Sequence, residues 1–305
     1  MEKRKDDNQR MFPKFWEAVE AMAKCCDTDT PVLARSEVYN ETWMLRLMLA
    51  RIYDFSGDFK IDKQKKKALD MIRNAVKKHW ISEGGLEPAF TKEGTTWADA
   101  ILGDVELGEY DDSDGDKRKV RLIKPSSGGK YEPCVVVIEA KMGSSLSKSV
   151  TNSSDYDQAA RNIACLAKLL LDSQSEESDG AFFVFTPEKS NRDEANKLIN
   201  KAIETINNQT KSLPERKSSA RDYKGIDKED KEKQQKFQMI VRRIINSSEG
   251  ENLKPEYNKS MVLTWDEILN AMNNEEDCTL GIISDTQKLR IFYEKSLKEI
   301  SKQSK

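Results

Sequence analysis

Cys134-Val135-Val136-Val137-Ile138-Glu139-Ala140-Lys141 is the stretch that decides the fold. Side chains alternate across a strand, so Glu139 and Lys141 share a face with Val135 and Val137, while Val136, Ile138 and Ala140 face the other way. Both faces of the run are apolar. Such a strand is expected to lie in the middle of a sheet covered on both sides, and a carboxylate and an ammonium at its carboxyl end then fall where open α/β sheets build their sites.

Upstream, Thr95 to Leu107 reads as a second strand region carrying three carboxylates, Asp99, Asp104 and Glu106, of which Asp99 is the first choice to approach the Glu139 end. Downstream, Tyr156 to Leu170 has helical spacing, with Ala159, Ile163, Leu166 and Leu170 on one stripe and Gln158 near the start. Helices are also predicted at Met11–Cys26, at Ser36–Ile52 and at Ala68–Trp80. Gly108–Lys130 reads as a long hairpin connection, and Met142–Ser154 as a loop able to close over a ligand. Phe182–Phe185 is predicted to lie parallel to Val135–Ile138, because the helix between them makes a crossover unit.

Asn191–Asn207 reads as helix and Thr210–Lys236 as a charged insertion. Phe237–Ile245 returns to helix, Met261–Trp265 to a short strand that comes back to the sheet edge, and Asp266 onward to helix. The fold class expected is α/β, a mixed central β-sheet flanked by helices. The chain is read as one domain with its core at about 37–207, an insertion at 208–236 and a helix-strand-helix at 237–305. A small separate C-terminal domain from about Phe237 is the alternative.

An Asp, then a Val-rich strand ending Glu-x-Lys, then a helix carrying Gln resembles the PD-(D/E)XK nuclease superfamily, with its restriction-endonuclease-like core, in the RecB-like variant that carries the Gln. The resemblance covers roughly Glu37 to Pro187. It implies Mg²⁺-dependent (or Mn²⁺-dependent) hydrolysis of DNA phosphodiester bonds. Asp99, Glu139 and the backbone carbonyl of Ala140 would hold the metal in the oxygen-rich partial shell that Mg²⁺ favours. Glu41 on the preceding helix, ahead of Glu37, would complete that shell. The metal would polarise the phosphate and lower the pKa of a bound water. Lys141, its own pKa lowered beside a dication, would position or activate that water, and Gln158 would orient the water or Lys141. Ser144, Asn152, Tyr156 and Arg161 are the candidates to contact substrate. The family motif often has Pro before its Asp where this chain has Ala98, which leaves Asp99, Asp104 and Glu106 open as the ligand. A role in bacterial antiphage defence or DNA repair follows by analogy, with a homo-oligomer or a defence complex as the partner.

Two other readings stand beside this one. The fold could serve as a catalytically silent nucleic-acid-binding or assembly module. Arg73-Asn74-Ala75-Val76-Lys77-Lys78-His79 also matches the short Arg-Asn-x4-His pattern of HEPN-type ribonucleases, which would cleave RNA without metal. His79 is the one histidine, which excludes chemistries that need a pair. No Walker loop or dinucleotide fingerprint appears, so no nucleotide cofactor is expected. The five cysteines have neither zinc-knuckle spacing nor the pattern of a secreted disulfide framework. With 51 basic and 53 acidic residues the net charge is −2, so phosphate contacts must come from local patches such as Lys60–Lys67. No apolar run is long enough to span a membrane and mean hydropathy is −0.74, from which a cytoplasmic protein is expected.

Overall fold

The computed structural model describes residues 10–26, 33–90, 95–108, 119–123, 133–142, 157–173, 178–187, 189–211, 226, 230–245, 259–273 and 284–303. Along the chain these form α1 (Met11–Cys26), α2 (Arg35–Val38), α3 (Glu41–Asp54), α4 (Lys63–Val76), β1 (Trp80–Leu86), β2 (Thr96–Gly103), β3 (Val105–Leu107), β4 (Val120–Leu122) and β5 (Cys134–Ala140). They continue with α5 (Gln158–Asp172), β6 (Asp179–Thr186), α6 (Lys189–Lys211), α7 (Lys231–Ile245), β7 (Ser260–Thr264), α8 (Trp265–Ala271) and α9 (Asp285–Gln303).

β5 is the middle strand of a five-stranded sheet ordered β1-β2-β5-β6-β7. It pairs antiparallel with β2 and parallel with β6, and β7 adds to β6 in parallel, so the sheet is mixed. The helix between β5 and β6 makes the expected crossover. β7 closes the edge, as expected of the late strand, so the sheet draws on the chain as far as Thr264.

The alternation in β5 separates two apolar layers. Val136, Ile138 and Ala140 join Phe183 and Phe185 under the helices that contribute Met44, Ile72 and Phe292. Val135 and Val137 join Phe182 and Val184 under α5 and α7, with Ile163 and Phe237. Fully burying side chains of this size contributes roughly 2 kcal/mol each, and β5 is fed from both faces.

Four local expectations are corrected. The third helix is α4, which ends at Val76, and Trp80 instead opens β1. Alternation in β1 is broken by Glu83, whose φ of 55° is left-handed, and by Gly84, where a Cβ would stand 2.8 Å from Ile101 Cδ1. That interruption hides the strand from a period-two reading. Within the 108–130 connection, Val120–Leu122 is strand β4 paired with β3. The charged stretch before Phe237 contains the first turn of α7, where the Asp230 side chain accepts a 2.9 Å hydrogen bond from the Lys233 amide. Its polar opening residues resemble an insertion because the buried residues, Phe237, Ile240, Val241, Ile244 and Ile245, all come later. The helix predicted at Asn191–Asn207 extends to Lys211.

Between β2 and β3 the chain turns at Gly103, with a φ of 110°. Its amide donates to the His79 carbonyl at 3.0 Å, and Asp104 then ties down the start of β5: its Oδ2 accepts from the Cys134 amide at 2.9 Å and from Lys78 Nζ at 2.7 Å. A Cβ on Gly103 would lie 2.0 Å from the Cys134 carbonyl oxygen, a backbone atom that cannot swing aside. Gly103→Ala is therefore expected to cost on the order of 3 kcal/mol, read as a lowered urea midpoint with an unchanged slope.

Candidate active site

Helix caps place the site residues. Asn40 accepts a 3.0 Å bond from the Trp43 amide and starts α3, so Glu41 is its first residue. Asp157 accepts a 2.8 Å bond from the Ala160 amide and starts α5, which puts Gln158 in its first turn beside the carboxyl end of β5. Neither cap is a catalytic group. Each fixes where a helix begins, and thereby where a functional side chain leaves the backbone.

Asp99, Glu139, Lys141, Glu41 and Gln158 converge. Glu139 is 2% exposed. Its Oε1 accepts from Lys141 Nζ at 2.6 Å and from Gln158 Nε2, and its Oε2 accepts from Asn162 Nδ2 at 3.3 Å. Asp99 Oδ2 accepts from the Ala140 amide at 2.7 Å. Glu41 Oε2 accepts from the Met142 amide at 3.2 Å. The turn after β5 is pinned on both sides: the Lys141 amide donates to the Phe185 carbonyl at 2.8 Å, and the Lys141 carbonyl accepts from Trp265 Nε1 at 3.0 Å.

The other sequence candidates lie elsewhere. Asp104 holds the opposite end of β5, Glu106 pairs with Arg121 at 3.0 Å, and Glu37 accepts from the Ala34 amide at 2.6 Å. Of the three carboxylates on the second strand region, only Asp99 meets the Glu139 end. Arg161 sits half-buried in the first turn of α5. Ser144, Asn152 and Tyr156, with most of the loop expected to close over a ligand, lie outside the described residues. Arg73 and His79 do not share a helix: Arg73 donates to the Gly57 carbonyl at 2.8 Å and stacks over Phe59, while His79 lies past the end of α4.

Sequence reasoning missed Asn162, Trp265 and a bracket formed by Arg46, Ser82 and Glu83. Asn162 follows Gln158 by one helical turn, the spacing that puts two side chains on one face, and that was the available signal. Glu83 falls between the Ser82–Ala100 and Gly84–Ala98 pairs, opposite Asp99. Its carboxylate is 3.6 Å from Arg46, whose Nε donates to Ser82 Oγ at 3.2 Å and whose guanidinium lies over the Trp43 ring.

The side-chain phase of β2 slips at Asp99. Ala98 and Ile101 pack in the α5 layer, whereas Ala100 and Leu102 pack in the other. A strand of unbroken alternation would put Ala98 with Ala100. At that slip the Asp99 carboxylate reaches the backbone of β5.

Three carboxylates face one ammonium here, and their titration reflects it. Burial, with Asp99 and Glu41 adding to it, raises Glu139 to about 7 against the pull of Lys141. Burial also raises Asp99 and Glu41. For Lys141, burial works downward, but Glu139, Asp99 and Glu41 outweigh it and the net shift is upward. With no cation in the corner, the carboxylates hold Lys141 protonated.

Among the described residues, no group of three or more His, Cys, Asp or Glu side chains stands in a metal-holding arrangement. The donor chemistry nonetheless fits a hard cation. Asp99, Glu139 and Glu41 bring only carboxylate oxygens, in excess over the one ammonium, and their raised affinity for protons marks a corner that a divalent ion would neutralise.

The fold and site together define an α/β protein with an acid-lysine-amide cluster at the carboxyl end of its central strand. No family model matches the chain, and neither a curated protein nor a solved structure matches it. No helix among the described residues is long and apolar enough to cross a membrane.

The pH dependence of stability follows from Glu139. Its carboxyl binds a proton more tightly folded than at its ordinary value of 4.5, so its contribution is fully present below about pH 4.5 and is lost as pH rises through about 7. The melting temperature of the metal-free protein is expected to fall between pH 5 and pH 8. Millimolar Mg²⁺ at pH 8 is expected to recover part of the loss, and Glu139→Gln to flatten the profile. A profile as steep in Glu139→Gln as in the wild type would assign the fall to other groups.

Proposed function

We propose that this protein is a Mg²⁺-dependent nuclease of the PD-(D/E)XK type that hydrolyses phosphodiester bonds of DNA. The observation that supports this reading is the meeting of Asp99, Glu139, Lys141 and Gln158, drawn from two strands and a helix, at one end of β5. DNA as the substrate, and service in antiphage defence or repair, rest on the sequence resemblance and on the phosphate chemistry that such a cluster suits.

Asp99, Glu139 and the Ala140 carbonyl, with Glu41 beside them, would hold the ion. When bound it supplies Lewis acidity toward a phosphoryl oxygen and a water of lowered pKa. The residues of the chain do the remaining work. Lys141, kept protonated by its carboxylate neighbours, offers its ammonium to the negative charge that builds on the phosphoryl oxygens. Gln158 and Lys141 share Glu139 Oε1, which keeps that carboxylate in one orientation. Trp265 and the Phe185 carbonyl hold the Lys141 backbone, so the ammonium is delivered from a fixed point. Arg46, half-exposed on its Trp43 and Ser82 supports, is the described cation placed to meet a phosphate at the β1 side of the site.

Incubation of the purified protein with plasmid and single-stranded DNA should give Mg²⁺-dependent or Mn²⁺-dependent cleavage that EDTA stops. Glu139→Ala and Lys141→Ala are each expected to lower the rate by at least roughly 10²-fold, and His79→Ala to leave it unchanged. Metal-free RNA cleavage lost with His79→Ala would overturn the assignment. DNA binding without cleavage under any metal would point to the silent binding module instead.

A further inference from the structure

Asn162 is fully buried on α5, one turn beyond Gln158, and the titration of its neighbours leaves its role unexplained. Its Nδ2 donates to Glu139 Oε2 at 3.3 Å, on the carboxylate oxygen that neither Lys141 nor Gln158 occupies. Its Oδ1 is buried and has no hydrogen-bond partner among the described residues. A buried carbonyl acceptor is ordinarily satisfied, by protein or by ordered water. Turning the amide over would only move its N–H groups to the position that no described residue meets. The side chain thus has one end committed to Glu139 and the other open to a donor that no described residue supplies.

We propose that Asn162 is a positioning residue of the metal site, holding Glu139 Oε2 with its amide N–H while its Oδ1 receives a hydrogen bond from a water molecule that enters with the cation. This rests on the nuclease reading above and deepens it. The two amides of α5 then share the carboxylate between them. Gln158 serves Oε1 and Asn162 serves Oε2, so each oxygen of Glu139 takes a donor from one helix face. The first turn of that helix is in turn fixed by the Asp157 cap. Outer partners of this kind set how well a carboxylate presents itself to a metal, and their loss typically costs 10–100-fold in affinity.

The role separates from mere packing by what it moves. An Asn that only fills space would, on replacement, lower the melting temperature and leave metal affinity where it was. Mn²⁺ binding to the wild-type protein, Asn162→Leu and Asn162→Ser should be measured by titration calorimetry and by water-proton relaxation, which reports the waters on the bound ion. Asn162→Leu keeps the branching at Cγ and removes both polar ends, and is expected to bind Mn²⁺ roughly tenfold or more weakly with fewer relaxing waters. Asn162→Ser leaves room for a water beside Glu139, and is expected to recover part of the affinity; it carries the test if the Leu variant fails to fold. Wild-type affinity in a folded Leu or Ser variant would overturn the role of Asn162 while leaving the nuclease reading intact. Absence of Mn²⁺ binding by the wild-type protein itself would overturn both.

Discussion

A carboxylate buried to 2% exposure at the end of the central strand is the constraint around which this protein is arranged. An ionised carboxylate in such a place costs several kcal/mol unless its oxygens are met. Three residues meet them: Lys141 from the turn after β5, Gln158 and Asn162 from α5. Each of these depends on something further out. Lys141 relies on the Phe185 carbonyl and on Trp265, Gln158 on the Asp157 cap, and α5 on the apolar layer it forms with β5 and β6. Removing Glu139 would therefore leave an ammonium and two amides turned toward an empty point.

The same corner gathers more negative charge than it neutralises. Asp99 and Glu41 stand close enough to Glu139 to raise its proton affinity, and Lys141 offsets them only in part. Such an arrangement is poor for stability. Hydrogen bonds to the Ala140 and Met142 amides and to the α5 amides hold the carboxylates in place.

Much of this was legible in the sequence, and the exceptions have physical causes. The uniform apolar run of β5 announced a central strand, and its alternation correctly assigned Val135 and Val137 to one layer and Val136, Ile138 and Ala140 to the other. Parallel pairing with β6 followed from a crossover helix of adequate length. The choice of Asp99 over Asp104 and Glu106 depended on where β2 ends and on a slip of side-chain phase, which spacing alone does not reveal. β1 escaped notice because a left-handed Glu83 and two glycines interrupt its pattern. Asn162 escaped because its one signal, the four-residue spacing from Gln158, is shared by any pair of residues a turn apart on a helix. The upward shift of Lys141 in the cation-free corner depends on the positions of three carboxylates at once.

Trp265 reaches the Lys141 carbonyl from 124 residues further along the chain, at the point where β7 passes into α8. At a synthesis rate of about 5–20 residues per second, the strand bearing Glu139 and Lys141 leaves the ribosome many seconds before the indole that braces it. A growing chain thus holds Glu139 and Lys141 without the tryptophan and edge strand that complete their support. The order of translation itself delays the finished cluster until the chain has grown past Trp265.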